Sequence, residues 1–149
     1  DVTIVSNSFM TVEAIHAVDH LQKQKVKCDL VDLRTIRPLD WDMIETSVRK
    51  TGRLLVLDSA CEFGSVAGEI IAGISERFFD VLKIAPIRIC LPNHATPTSP
   101  SLTKGFYPDA VNIIEAVAKL MGQELESQSL NAERTWPHDV PGDWFSGPF

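Results

Sequence analysis

The chain has 149 residues, and its 14 Lys and Arg stand against 20 Asp and Glu for a formal net charge of -6. That balance supplies no basic face for a nucleic acid or an anionic membrane. Apolar content of 44% suits one globular core, and no apolar run approaches the ~20 residues that cross a bilayer.

The chain opens on Asp1 without an initiator Met, and no basic stretch precedes an apolar one as in a secretory leader. It is therefore expected to be a piece of a longer polypeptide. Residues 2–5 form a short apolar run of the kind a buried parallel strand shows. The polar turn Ser6-Asn7-Ser8 leads to a helix predicted over 10–24. Its apolar stripe is read as Val12, Ile15, Val18 and Leu21 with Ala14 and Ala17, leaving Glu13, Asp19 and Lys23 toward water. Residues 26–33 alternate at Val26, Cys28 and Leu30, then turn fully apolar at Val31 and Leu33, as a strand does on entering a sheet centre.

The stretch 31–40 is the most distinctive text. Pro38 forces the residue before it out of the helical region and ends the extended segment. Asp40 is placed to cap a helix over 41–50, with Trp41, Ile44 and Val48 inward and Gly52 as its stop. A third strand is predicted over 53–58, a loop over 59–64, and a helix over 65–81 with Ala67, Ile70, Ile71, Ile74 and Phe78 on its apolar face. Gly68 and Gly73 each lower helix propensity by ~1 kcal/mol relative to Ala, which predicts compensating close packing. Residues 87–91 read as a fourth strand and 92–107 as irregular. Pro108 takes the first position of a last helix that runs to Met121 and stops at Gly122.

Strands that alternate with helices and are apolar throughout predict an α/β three-layer sandwich, a parallel sheet covered on both faces. Residues 123–149 change character. Residues 123–133 are polar, and 136–145 mix prolines with Trp136, Trp144 and Phe145. Prolines predict extended or turned backbone there. The aromatics predict an arm packed on its own domain or on a neighbouring subunit; a disordered leftover is the alternative.

Ligands of such sheets sit at the carboxyl ends of the strands. The first strand-to-helix turn has no glycine, so the dinucleotide fingerprint is missing, and no GxxxxGK[ST] occurs. Gly64 to Gly68 at a helix start would offer free N–H groups to an anion, or serve only helix–sheet packing. His16 and His20 lie four apart, as metal ligands do, but no third ligand completes the set and solvent-facing histidines are the better reading. His94 stands at a strand's carboxyl end, where a proton-transfer group would sit, without an identifiable partner carboxylate. Arg34 and Arg37 are candidates for an anion; the competing reading pairs Arg34 with Asp32, Asp40 or Asp58 and leaves Arg37 solvated. Cys28, Cys61 and Cys90 include no CxxC pair and read as free thiols of a reducing compartment, the cytoplasm or, in a eukaryote, the mitochondrial matrix. Cys61, in a loop before a helix, is the one thiol considered for reactivity. No residue is assigned a catalytic, cofactor-binding or metal-ligating role.

The stretch 31–40, followed by Ser47-Val48-Arg49-Lys50-Thr51-Gly52-Arg53-Leu54-Leu55-Val56, resembles the C-terminal domain of the transketolase-like thiamine diphosphate enzymes. The likeness is greatest to the beta subunit of the decarboxylating component of 2-oxo acid dehydrogenase complexes, and transketolase and deoxyxylulose-phosphate synthase are the alternatives. It covers residues 1–122, including the strand 1–5, the helix start 64–70 and the proline-marked approach 97–108. The resemblance implies a mostly parallel five-stranded sheet with one strand reversed. It also implies that thiamine diphosphate, its magnesium ion and the activating glutamate belong to preceding domains of the parent enzyme. This domain would then serve assembly: a homo- or hetero-oligomer with an alpha subunit, and docking of a lipoyl-bearing acyltransferase in some relatives. Lys83 and Ile84 before Ala85-Pro86, the tail 123–149, and Leu102-Thr103 in place of Leu-Glu depart from that pattern. A free-standing interaction module and a nucleotide-binding domain are the remaining readings.

Overall fold

The computed structural model describes residues 1–133, 135–138 and 140. Four strands, β1 (Val2–Ser6), β2 (Cys28–Asp32), β3 (Leu54–Cys61) and β4 (Ile87–Leu91), form one sheet in the order β2-β1-β3-β4. All three pairings are parallel. Helix α1 (Phe9–Lys23) connects β1 to β2, α2 (Trp41–Thr51) connects β2 to β3, and α3 (Val66–Phe78) connects β3 to β4. A single turn α4 (Pro100–Thr103), the helix α5 (Ala110–Met121) and a short α6 (Gln128–Glu133) are the remaining elements among the described residues.

Residue alternation in the strands sorts the core into two halves. Val2, Ile4, Leu55 and Leu57 pack on one face against Ala14, Ala17 and Leu21 of α1 and Ile113, Ile114 and Val117 of α5. Val5, Leu54 and Val56 pack on the other against Ile44 and Val48 of α2 and Ile70 and Ile74 of α3. Each Val, Leu and Ile among them contributes ~1.5–3 kcal/mol on full burial.

Two buried residues of β1, Thr3 and Ser6, break the apolar pattern, and Thr3 reaches α2. Thr3 Oγ1 lies 2.8 Å from Ser47 Oγ and 2.7 Å from Thr51 Oγ1, both on α2. Ser47 donates to Asp29 Oδ2 (2.8 Å) and Thr51 to the Arg53 carbonyl (3.1 Å). The single Thr3 proton is thus divided between two acceptors, and the network pins α2 over β1 and β2. The Ser47 hydrogen bond, with Lys50 adding to it, holds the Asp29 carboxyl below its ordinary range.

The helix ends follow the sequence closely. Asp40 accepts from Met43 N at 3.0 Å, and Gly52 and Gly122 take left-handed φ values of 71° and 65°. At α5, Asp109 forms a reciprocal cap with Asn112, so Pro108 falls outside the helix and Ala110 is its first residue. A side chain that accepts two N–H bonds outweighs a merely compatible proline.

Three expectations change. The sheet has four parallel strands among the described residues, not five with one reversed. After β4 the described chain is proline-broken up to α5, and residues 123–133, polar in sequence, form α6, so among the described residues no further strand extends the ladder. In α1 the buried face is Met10, Ala14, Ala17 and Leu21, while Val12 and Val18 are half-buried and Ile15 is 45% exposed. The small side of the helix faces the sheet because alanines allow the closer approach. Glu13, read as solvated, accepts from Ala110 N at 3.0 Å and serves the start of α5.

In the tail, the Gln128–Glu133 helix stands where only polar text was noted. Leu125 and Leu130 pack against the α1–α5 core, and Ser127 is buried. Residues 139 and 141–149, with Trp144 and Phe145, lie outside the described residues.

The two glycines of α3 differ in surroundings. A Cβ on Gly73 would stand 2.5 Å from Cη2 of Trp41, whose ring is also capped by Arg77 at 4.2 Å. A Cβ on Gly68 would meet only the Arg88 Nη1 tip at 3.3 Å. Gly73→Ala is expected to lose ~1–3 kcal/mol of stability by overpacking. Gly68→Ala is expected to be neutral or to gain up to ~1 kcal/mol from helix propensity. Urea unfolding of the two variants checks this, and equal effects would refute the packing account.

Candidate functional site

The strand order reverses between β1 and β3, since β2 lies outside one and β4 outside the other. In an open parallel sheet this switch point leaves a crevice beyond the carboxyl ends of the strands. Here the crevice is lined by Asn7, Thr11, Asp32, Arg34 and Asp58 among its polar groups, with Ile15, Ile36 and Val66 among its apolar ones.

Its ionisable groups are already engaged. Asp58, buried at the end of the apolar run of β3, accepts from Asn7 Nδ2 (3.3 Å), Ala60 N (3.1 Å) and Ala67 N (3.3 Å). It ties the turn after β1 to the start of α3. Asp32 accepts from the Thr11 hydroxyl at 2.9 Å, and Thr11 in turn contacts Ser6 Oγ at 3.0 Å. The other Asp32 oxygen pairs with Arg34 Nε at 2.8 Å, one of the pairings read from the sequence.

The Gly64–Gly68 segment offers no anion cradle. Gly64 takes φ 78°, Ser65 caps Gly68 N at 3.4 Å, and the Ala67 N–H points to Asp58. A carboxylate occupies the position an anion would need, and it would repel one. Asp32 and Asp58 both spend their oxygens on protein donors, so these residues do not fit a magnesium diphosphate.

The other sequence candidates do not converge. His20, expected to face solvent, has a side chain only 12% exposed and places Nε2 2.9 Å from the Glu126 carbonyl and 3.0 Å from its carboxylate. Burial by the tail is what the sequence did not reveal. His16 is half-buried, and no group of three or more His, Cys, Asp or Glu with metal-binding geometry exists among the described residues. His94 is exposed, contacts the Ala95 carbonyl through Nδ1 (3.1 Å), and stacks at a tilt on Phe106, 5.1 Å between ring centres. Arg37 is exposed. Cys61 is exposed, whereas burial pushes the Cys28 thiol up to about 11 and raises that of Cys90.

Three exposed apolar side chains were missed as surface features: Ile15 at 45%, Ile36 at 47% and Phe63 at 90%. Phe63 lies between Glu62 and Gly64, and an aromatic in a polar loop was the one signal available for it. Asp58 was read only as a partner for Arg34. An Asp that ends an apolar strand just before a helix start was its signal.

Residues 1–113 match the family model described as "Transketolase, C-terminal domain". The chain is 37% identical over 121 residues to the acetoin:2,6-dichlorophenolindophenol oxidoreductase subunit beta of Cupriavidus necator, covering 81% of this chain and 36% of that one. It is 38% identical over 120 residues to the pyruvate dehydrogenase E1 component subunit beta of Rickettsia bellii, covering 80% and 37%. The chain thus spans just over a third of the length of these relatives. A solved structure described as "Split gene transketolase, inactive beta4 tetramer" superposes with a TM-score of 0.67 at 21% identity, covering 84% of this chain and 39% of that one.

Asp58→Asn is expected to lose ~1–3 kcal/mol, because an amide nitrogen would meet a backbone or Asn7 donor in a buried site. Urea unfolding checks it, and a change under a few tenths of a kcal/mol would contradict the anchoring role. The thiolate is the reactive form, and at pH 8 a thiol raised to about 11 is almost wholly protonated. A colorimetric disulfide reagent should therefore titrate Cys61 rapidly and Cys28 and Cys90 only slowly in the native chain. Fast labelling of Cys28 would contradict the burial.

Proposed function

The chain belongs to the transketolase C-terminal domain family, and we propose that its work is assembly within a beta-type subunit of a thiamine diphosphate-dependent 2-oxo acid dehydrogenase or a related acetoin-type enzyme. One observation carries this reading. At the position where such a fold places its ligand, the polar groups are satisfied by one another while Ile15 and Ile36 stay about half exposed. A crevice with closed electrostatics and open apolar side chains suits a protein neighbour better than a substrate.

The names of the relatives agree, since both describe subunits. In this proposal thiamine diphosphate and magnesium are held by other domains of the parent enzyme, an alpha-type subunit is the partner, and the compartment is the cytoplasm or the mitochondrial matrix. The domain proper is taken as residues 1–122, with 123–149 as a C-terminal tail. The Gly122 stop and the family match ending at residue 113 support that division, and the packing of Leu125 and Leu130 makes the first part of the tail a cis-packed appendage.

The chain alone, supplied with thiamine diphosphate, magnesium and pyruvate, is expected to release no carbon dioxide above the protein-free control. In the full beta-type polypeptide, Ile36→Asp is expected to weaken association with the alpha-type subunit about tenfold by sedimentation. Turnover by the isolated chain, or a full polypeptide that associates with nothing, would overturn the assembly reading.

A further inference from the structure

A second cavity, of about 370 Å³, touches the start of α1 and shares no lining residue with the switch-point crevice. Small-molecule sites run ~300–1,000 Å³, so its size suits a compact ligand and not a polypeptide segment. Four parts of the chain build it: the first turns of α1, the ends of β3 and β4, the approach to α5, and the tail around residue 136. The tail wall, Trp136, His138 and Val140, lies beyond residue 113, where the family match ends. Part of the cavity is thus made by chain outside the matched domain.

The walls are held in place. His138 Nε2 lies 3.0 Å from the buried Thr103 Oγ1, which ties the tail to α4. Glu13 Oε2 accepts from Ala110 N at 3.0 Å, and Asp109 Oδ1 accepts from Val111 N at 3.0 Å and Asn112 N at 3.3 Å. Both carboxylates therefore have fixed positions before any ligand arrives, which lowers the cost of binding one. The chemistry of the lining is one-sided. Phe9, Tyr107 and Trp136 supply aromatic surface, Glu13 and Asp109 supply negative charge, and no lysine or arginine lines the cavity among the described residues. Aromatic faces and carboxylates both attract a cation. An anion would be repelled, and a purely apolar molecule would desolvate the two carboxylates without compensation.

We infer that this cavity binds a small organic cation, a primary ammonium group on a compact aromatic body. The ammonium group lies against Glu13 and Asp109, and the ring lies among Phe9, Tyr107 and Trp136. The Ser59 hydroxyl lines the same cavity and offers the ammonium group a further acceptor. This site is independent of the assembly reading.

The test uses the full polypeptide that carries this domain, titrated calorimetrically with 2-phenylethylammonium and with 2-phenylethanol, its neutral counterpart of the same shape. The ammonium compound should bind with a dissociation constant of about 1 mM or lower, a modest affinity for a molecule of its size. The alcohol should bind at least about tenfold more weakly, because it lacks the charge that strengthens hydrogen bonds to carboxylates. Glu13→Gln keeps an acceptor for Ala110 N, and it should weaken the ammonium compound about tenfold without weakening the alcohol. Trp136→Ala should weaken both compounds about tenfold, since both lose aromatic surface. Ile36→Ala, in the switch-point crevice, should change neither. Equal binding of the two compounds, or no binding of the ammonium compound, overturns the inference. So does ammonium binding that survives both Glu13→Gln and Trp136→Ala. If Glu13→Gln lowers the melting temperature, Trp136→Ala and Tyr107→Leu decide in its place, Tyr107 being 38% exposed and its replacement mild for the fold.

Discussion

Strand β1 and the first five residues of β3 have no face open to water, and the rest of the structure follows from that constraint. Both lie inside the sheet, with Val2, Ile4, Leu55 and Leu57 turned to one helical layer and Val5, Leu54 and Val56 to the other. A strand buried on both sides needs helices on both sides, and parallel neighbours need crossovers long enough to be those helices. Burial of Thr3 in the same strand is tolerated because Ser47 and Thr51 arrive on α2 with hydroxyls at hydrogen-bonding distance. An apolar residue there would leave Ser47 one contact poorer, so the polar triplet stands or falls together.

The constraint also fixes the end of the sheet. Where β1 and β3 emerge, the turn after β1 and the N-terminus of α3 bring unsatisfied donors into a poorly hydrated place. Asp58 meets three of them at once. A carboxylate that is spent on backbone and Asn7 donors is a structural element, and it removes the positive end of α3 from use as an anion site. The absence of a glycine in the first turn and the presence of Asp58 at the third are thus two expressions of one arrangement. The carboxyl edge is finished internally.

What was legible in the sequence were features with local causes. Proline, the Asp40 cap, the left-handed glycines and the apolar strand runs act within a few residues, and the structure repeats them nearly position for position. The misreadings have nonlocal causes. The orientation of α1 depends on how closely Ala14 and Ala17 let it approach α5, which lies about a hundred residues later in the chain. The environment of His20 depends on Glu126, and that of Glu13 on Ala110. The fifth strand was carried by a family resemblance and not by any apolar segment of this chain. The role of Asp58, which takes up donors from the first turn and from the start of α3, was not visible without the fold.

Helix α1 makes the final distinction between covered and uncovered surface. On one side of it, Gln24 exchanges two hydrogen bonds with the Glu126 backbone, both 2.8 Å, and His20 binds the same residue. Leu125 and Leu130 close the adjoining groove against α5. The chain has thus used its own tail to finish that edge. On the other side of the same helix, Ile15 stays exposed beside Ile36. Among the described residues, the chain covers one apolar edge in cis and leaves the neighbouring one open. Surface of that kind costs solubility when it stays wet. The asymmetry along one helix therefore favours the crevice side as the face reserved for another polypeptide.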